Sequence, residues 1–282
     1  MSKQIEYLSD YEKEADLRRE TFGKTEKYTT GFPNFDKYLG FGFGNRHGYE
    51  IVTIFGDPGV GKSTFSLNII AAEMVKGTKV GLMILEDDMP DVYNRLRQII
   101  FESGMMALKK NKNVDVIPQH MLEEAWTFEQ ILKWIEDKNE ERGIELFLID
   151  HINFIFDNAE LENPNKELAE QRKFMRKLNF MCRKRKLTVI LVSHTAKGNA
   201  EGMGKVYGTT AITQVSTKVL GLKQGESSQF VVNMYKSRFT QRRQGFCLMS
   251  LNGLRLEDSN GTIYPDSVSN GSSGNGKKNK SS

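Results

Sequence analysis

The run from Gly56 to Thr64 constrains this chain more than any other feature: Gly56-Asp57-Pro58-Gly59-Val60-Gly61-Lys62-Ser63-Thr64 fits GxxxxGK[ST]. What flanks it gives the pattern meaning. Residues 50–55 form a β-branched, apolar run ending at glycine, and residues 65–75 carry apolar side chains at helical spacing. A glycine-rich loop between a strand and a helix lets successive N–H groups turn inward onto phosphate oxygens. The helix N-terminus adds partial positive charge, Lys62 reaches terminal phosphates, and Ser63 can ligate a divalent cation. The plainer alternative, a glycine-rich turn, has no use for lysine and serine after the last glycine. ATP and Mg²⁺ are the cofactors this loop implies, with all nine of its residues as contacts and Ser63 on the metal.

The remaining pattern tells what the loop is embedded in. Short apolar runs at 79–85, 114–117, 146–149 and 187–192 alternate with helical patterns at 65–75, 92–101, 128–140 and 167–184. Such alternation predicts an α/β fold, a mostly parallel sheet flanked by helices. After 215 come closely spaced strand patterns at 219–222, 230–236 and 245–251, expected to add antiparallel strands near the C-terminus. Gly31, Pro33 and the glycines from 40 to 48 read as a loop-rich entry. Residues 3–21, with Ile5, Leu8, Ala15 and Leu17 among many charges, read as a helix with a thin apolar stripe. The expected organisation is a linker over 1–29, one ATPase-type domain over 30–257, and a polar, basic tail over 258–282 too poor in apolar residues to fold.

Composition excludes more than it assigns. No apolar run reaches the roughly 18 residues of a membrane span, and the first ten residues lack a signal peptide's apolar core, so no membrane partner and a cytoplasmic location (host cytoplasm for a virus) are expected. Cys182 and Cys247 are far apart, without metal-ligand spacing, and read as buried small hydrophobes. A net charge of +4 permits nucleic acid as a partner without arguing for it.

Two carboxylates are candidates for driving chemistry at the bound phosphates. Asp150 ends the apolar run 146–149, placed to hold Mg²⁺ together with Ser63; a strand-terminating or helix-capping aspartate is the alternative. Glu86 closes the strand pattern at 79–85 and is placed to deprotonate an attacking water. Asp87 and Asp88 are rivals by position, and a solvated acidic turn is the plainer reading of all three.

Here the residues reach a recognisable pattern. Ile84-Leu85-Glu86 with Met89-Pro90 resembles the strand-Glu-x-x-x-Pro segment of DnaB-type, phage and mitochondrial ring replicative helicases, with one extra acidic residue before Met89. Leu148-Ile149-Asp150-His151-Ile152 is similar to their metal-holding strand, and Thr188 to His194 to the strand that ends in a γ-phosphate sensor. Tyr207-Gly208-Thr209-Thr210-Ala211-Ile212-Thr213-Gln214 resembles their DNA-binding loop, and Lys236-Ser237-Arg238-Phe239 their arginine-finger strand. The resemblance implies a RecA-like P-loop ATPase core with Glu86 as catalytic base, Asp150 associated with magnesium and His194 as sensor. Lys62 acts on the phosphates, and Lys236 and Arg238 are supplied to a neighbour's nucleotide. It further implies a homo-oligomeric ring, expected as a hexamer, that moves on single-stranded DNA and unwinds duplex, with residues 3–21 packed on the adjacent subunit and a separate primase or loader as further partners. In two respects the chain is expected to depart from the family: no helical or primase domain is expected ahead of the motor, and the tail reads as basic and polar rather than acidic as in some phage relatives. The alternatives are a RecA- or KaiC-like ATPase of recombination or signalling, and an ATP-binding loader or accessory protein.

Residues 197–214 hold four glycines, Lys197 and Lys205, and almost no large apolar residue before Val206, as suits a loop that grips sugar-phosphate without reading bases. Lys197, Lys205, Gly208, Thr209 and Gln214 are the candidate DNA contacts, with a plain surface loop as the alternative. Lys109, Lys110 and Lys112 form a second basic patch read as solvated, and the cluster from Arg183 to Lys186 is attributed to a helix C-terminus.

Overall fold

The computed structural model describes residues 28–40, 42–44, 49–102, 114–116, 127–157, 164–195, 210–225, 229–238 and 246–264. The expected helix at 3–21, the basic patch at 109–112, Lys197, Lys205, Gly208 and Thr209 lie outside them.

The strands predicted from continuous apolar runs form, in chain order, β1 (Glu50–Gly56), β2 (Val80–Ile84), β3 (Val114–Val116), β4 (Leu146–Asp150) and β5 (Thr188–His194). β6 (Lys218–Gln224), β7 (Gln229–Ser237), β8 (Phe246–Asn252) and β9 (Arg255–Tyr264) complete one sheet in the order β3-β2-β4-β5-β1-β6-β7-β8-β9. β1 to β6 pair in parallel, whereas β6 to β9 are joined as antiparallel neighbours, as the spacing of the last runs implied. The runs are continuous because both faces are covered. Val52 and Ile54 enter one core with Leu146, Leu148, Ile190 and Val192, while Ile51 and Phe55 enter the other with Phe147, Ile149, Val189 and Leu191. Each such aliphatic side chain withdrawn from water contributes roughly 1.5–3 kcal/mol.

The helices are α1 (Pro33–Leu39), α2 (Lys62–Val75), α3 (Met89–Glu102), α4 (Phe128–Arg142), α5 (Phe154–Asp157), α6 (Pro164–Arg185) and α7 (Thr210–Val215). α4 starts where its sequence says it should: Thr127 Oγ1 accepts from the Gln130 N–H, and the Gln130 side chain accepts from the Thr127 N–H. It ends at Gly143 in the left-handed region.

Three expectations change. The entry is not all loop: α1 begins with Pro33 in its first turn, stops at left-handed Gly40, and buries Phe35, Tyr38 and Leu39. The fold does not end at 257, because β9 continues to Tyr264, with Ile263 and Tyr264 opposite Cys247 and Phe246. A strand ladder uses backbone groups that polar residues carry as well as apolar ones. The end of the 197–214 stretch is helix α7 rather than loop. The basic cluster also has a fuller explanation than the helix dipole: Arg185 pairs with Glu136 and Glu140 of α4, and Arg183 lies 6.0 Å over the Tyr49 ring. Cys182 and Cys247 are both buried, as expected of small hydrophobes. Among the described residues no helix is long and apolar enough to cross a membrane.

Candidate functional site

β5 lies between β1 and β4, so the chain ends leaving these three strands converge on one edge of the sheet. The register makes this explicit. Gly56 is level with His194, Ile84 with Asp150, and the Leu85 N–H donates to the Asp150 carbonyl at 2.6 Å. The loop at 56–64, the Asp150 carboxylate, His194 and Glu86 therefore meet at the carboxyl edge, where open α/β sheets bind ligands.

The loop is held by its own residues. Gly61 immediately precedes α2 with φ of 90°, and a Cβ there would come within 2.8 Å of the Phe230 ring. Both the backbone angle and the contact require glycine. Gly59 also has positive φ, but a Cβ there would meet nothing within 4 Å, leaving its outer side open to a ligand. Lys62 is buried, its Nζ donating to the Asp57 carbonyl at 3.0 Å and standing 3.2 Å from His194 Nδ1. Burial lowers its pKa from the usual ammonium value, against the opposing pull of Asp150, Glu86 and Asp57.

Asp150 is 2% exposed, and burial pushes its carboxyl up to about 6 despite a hydrogen bond from Ser63. Its Oδ1 is buried with no hydrogen-bond partner among the described residues. A buried, orphaned carboxylate oxygen beside a serine hydroxyl and a lysine is a donor set suited to Mg²⁺, which takes oxygen ligands. When bound, that ion would neutralise phosphate charge. The residues present thus fit a magnesium nucleotide, with Ser63 and Asp150 at the ion and the loop N–H groups and Lys62 at the phosphates.

Next to Asp150 stands a second group of side chains. His151 is 4% exposed, and its Nε2 lies 3.3 Å from Glu86 Oε2. Its ring packs edge-on against His194, with centroids 4.1 Å apart, and against Phe154 at 4.7 Å. Burial, then His194 and Lys62, push its pKa down to about 4, so the imidazole is neutral at pH 7. Asp87 turns away to Arg95 of α3, at 2.7 Å, whereas Glu86 faces His151. Asn153 ties the edge together by accepting from the His194 N–H at 3.2 Å and from Ser193 Oγ at 3.3 Å. Thr195 Oγ1 donates to Asp57 Oδ1 at 2.5 Å, joining the end of β5 to the loop. His151, Asn153 and Thr195 were not singled out from the sequence; the only signal was that polar residues interrupt the run after Asp150.

Lys236 and Arg238 lie apart from this edge group. As their alternate spacing implied, they share a side: Lys236 Nζ donates to the carbonyls of Thr213 and Gln214 at 2.6 and 2.8 Å, and Arg238 Nη2 to the Gln214 carbonyl at 3.1 Å. Burial, then Arg238, lower the Lys236 pKa to about 8. Gln214, one of the candidate DNA contacts, is exposed on α7.

The comparisons agree with this architecture. No curated protein matches the chain. Among solved structures it is similar to the "ATPase Domain of G40P", with a TM-score of 0.66 and 15% identity over 88% of this chain and 96% of that one. At that identity the likeness speaks for the fold. The family model described as "ATPase: KaiC" matches residues 28–250, which span α1 to β8 and every described residue of the site, so the chain belongs to the KaiC-type family of RecA-like ATPases.

Proposed function

We propose that the chain is the motor of a ring-forming, replicative-type DNA helicase, which hydrolyses Mg-ATP between subunits and moves along single-stranded DNA to part a duplex. Glu86 is the base that takes a proton from the attacking water, and His194 reads the γ-phosphate. Lys62 and the loop N–H groups carry the phosphate charge, Ser63 and Asp150 hold magnesium, and Arg238 with Lys236 complete the neighbour's site. The observation that carries the reading is the bonding of Lys236 and Arg238 to the last carbonyls of α7. That helix follows directly on the segment with the candidate DNA contacts Lys197, Lys205, Gly208 and Thr209. Groups assigned to phosphate and groups assigned to DNA are thus joined by one short helix, as a motor requires and a nucleotide-dependent scaffold does not.

The family match favours a second reading, a RecA- or KaiC-like ATPase in recombination or signalling. ATPase rates with and without single-stranded DNA, beside unwinding of a forked duplex and a strand-exchange assay, separate the two. Stimulation by DNA with fork unwinding supports the helicase motor. Strand exchange without unwinding supports the rival, and slow turnover indifferent to DNA removes the motor reading.

A further inference from the structure

We propose that Glu86, His151 and His194 form a binding site for a late first-row divalent cation of the Zn²⁺ class, distinct from the magnesium that accompanies a nucleotide. One ligand atom from each of the three lies within 4.8 Å of the other two. His151 Nε2 and Glu86 Oε2 are 3.3 Å apart. Tetrahedral zinc with bonds of about 2.0–2.1 Å separates its ligand atoms by about 3.3–3.4 Å, so this edge of the polyhedron is already formed. The separations to His194 must shorten, which asks the half-buried His194 ring to turn toward the ion and Glu86, whose side chain is 49% exposed, to follow.

Three features suit the site to this class of ion. The donors are two imidazoles and one carboxylate, the His₂Glu set that leaves a fourth position open. Nitrogen donors favour zinc, nickel or cobalt over magnesium, which prefers oxygen alone. His151 is also fixed before any ion arrives, because its buried ring is clasped between Phe154 and His194. The local charge is favourable too: Glu86 and Asp150 act on this edge against the ammonium of Lys62, while Asp87 is paired with Arg95. Lys62 Nζ stands 3.2 Å from His194 Nδ1, so the cation takes the other ring nitrogen or displaces the ammonium. On the proposed function, which this site does not depend on, such an ion withdraws the base and the sensor from turnover.

The test is a binding measurement on nucleotide-free, EDTA-treated full-length protein. Zn²⁺ is titrated in competition with a chromophoric chelator, and Co²⁺ is followed by its visible absorption. One Zn²⁺ per chain is expected, with Co²⁺ bands of a four- or five-coordinate nitrogen and oxygen site. His151→Asn and Glu86→Gln should each weaken Zn²⁺ binding by at least about tenfold. His47→Ala and His120→Ala, which remove the other two histidines of the chain, should leave it unchanged. Glu86 is exposed, so its variant reports on binding even if the change at buried His151 disturbs folding. A loss below tenfold in Glu86→Gln, a comparable loss in His47→Ala or His120→Ala, or a six-coordinate aqua-type Co²⁺ spectrum overturns the proposal.

Discussion

Replacing Asp150 by asparagine should make the nucleotide-free protein more stable while destroying its use of magnesium. The carboxyl is 2% exposed, and burial pushes its pKa from 3.8 up to about 6. A folded-state pKa above the unfolded one means that the native state holds the proton more tightly, so ionisation opposes folding. The penalty is absent below pH 3.8, grows between 3.8 and about 6, and is complete above. The gap of about 2 pH units corresponds to roughly 3 kcal/mol. Asparagine keeps the shape and the orphaned Oδ1 but carries no charge, so the penalty disappears and little else changes. At about 2–4 °C per kcal/mol for a domain of this size, Tm at pH 8 should rise by roughly 6–12 °C in EDTA, and near pH 4 by only a small fraction of that. Mg-ATP should reverse the order, stabilising the natural protein and not the variant. Thermal unfolding at both pH values, with EDTA and with Mg-ATP, measures all of this. No gain at pH 8, or an equal gain at pH 4, would refute the claim that Asp150 is held as a desolvated charge awaiting a cation.

Other substitutions probe the remaining parts. Lys62→Ala should abolish ATP turnover, since no other cation of the loop reaches the phosphates, and a colorimetric phosphate assay checks it. Glu86→Gln should keep ATP binding and lose hydrolysis, because an amide accepts a hydrogen bond but not a proton; a larger effect of Asp87→Asn or Asp88→Asn would show that Glu86 is not the base. Lys218→Met should cost about 3–5 kcal/mol in urea denaturation, as it strands Glu50 without its buried partner 3.5 Å away. Adding Glu50→Gln should recover most of that loss, and a single-variant loss under about 1 kcal/mol would contradict the pairing. Arg238→Ala should bind ATP yet hydrolyse it about 10³–10⁵-fold more slowly. Activity regained on mixing it with Glu86→Gln subunits would show action across a subunit boundary, and none in verified mixed oligomers would exclude it.

What could be read from the sequence was whatever local spacing encodes. The phosphate loop is contiguous, and β1, β4 and β5 are buried on both faces, so their apolar runs are unbroken. α1 escaped because a helix this short has little propensity of its own; it exists because Phe35 and Tyr38 are packed under the sheet, where the Tyr38 hydroxyl accepts from the Met234 N–H. β9 escaped because a polar edge strand is specified by the ladder of its neighbour. At the site, Asp87 and Glu86 are indistinguishable by position, and it is Arg95, brought in by α3, and His151, after β4, that set them apart. His151 and Asn153 matter because β5 inserts beside β4 and places His194 against them. No spacing along the chain contains that adjacency.

The cations on β7 pose the question of how one site would learn the state of another. Lys236 is half-buried, its pKa is lowered by burial and by Arg238, and its partners are carbonyl dipoles. Among the described residues neither Lys236 nor Arg238 forms an ion pair. Two cations sharing the Gln214 carbonyl are therefore less well compensated than by an anion, because each bond is charged on the donor side alone. A phosphate offered by a neighbouring subunit would be the better acceptor, and on the proposed function it draws both side chains off α7. The Thr213 and Gln214 carbonyls of α7 then lose these donors, and the helix is loosened. Hydrolysis and phosphate release restore the cap. The bonds to the α7 carbonyls are already charge-assisted through their cationic donors, so what the exchange gains is the added attraction of an anionic acceptor. On the proposed function, these three bonds between the end of β7 and α7 are the route by which the state of the nucleotide would act on nucleic acid.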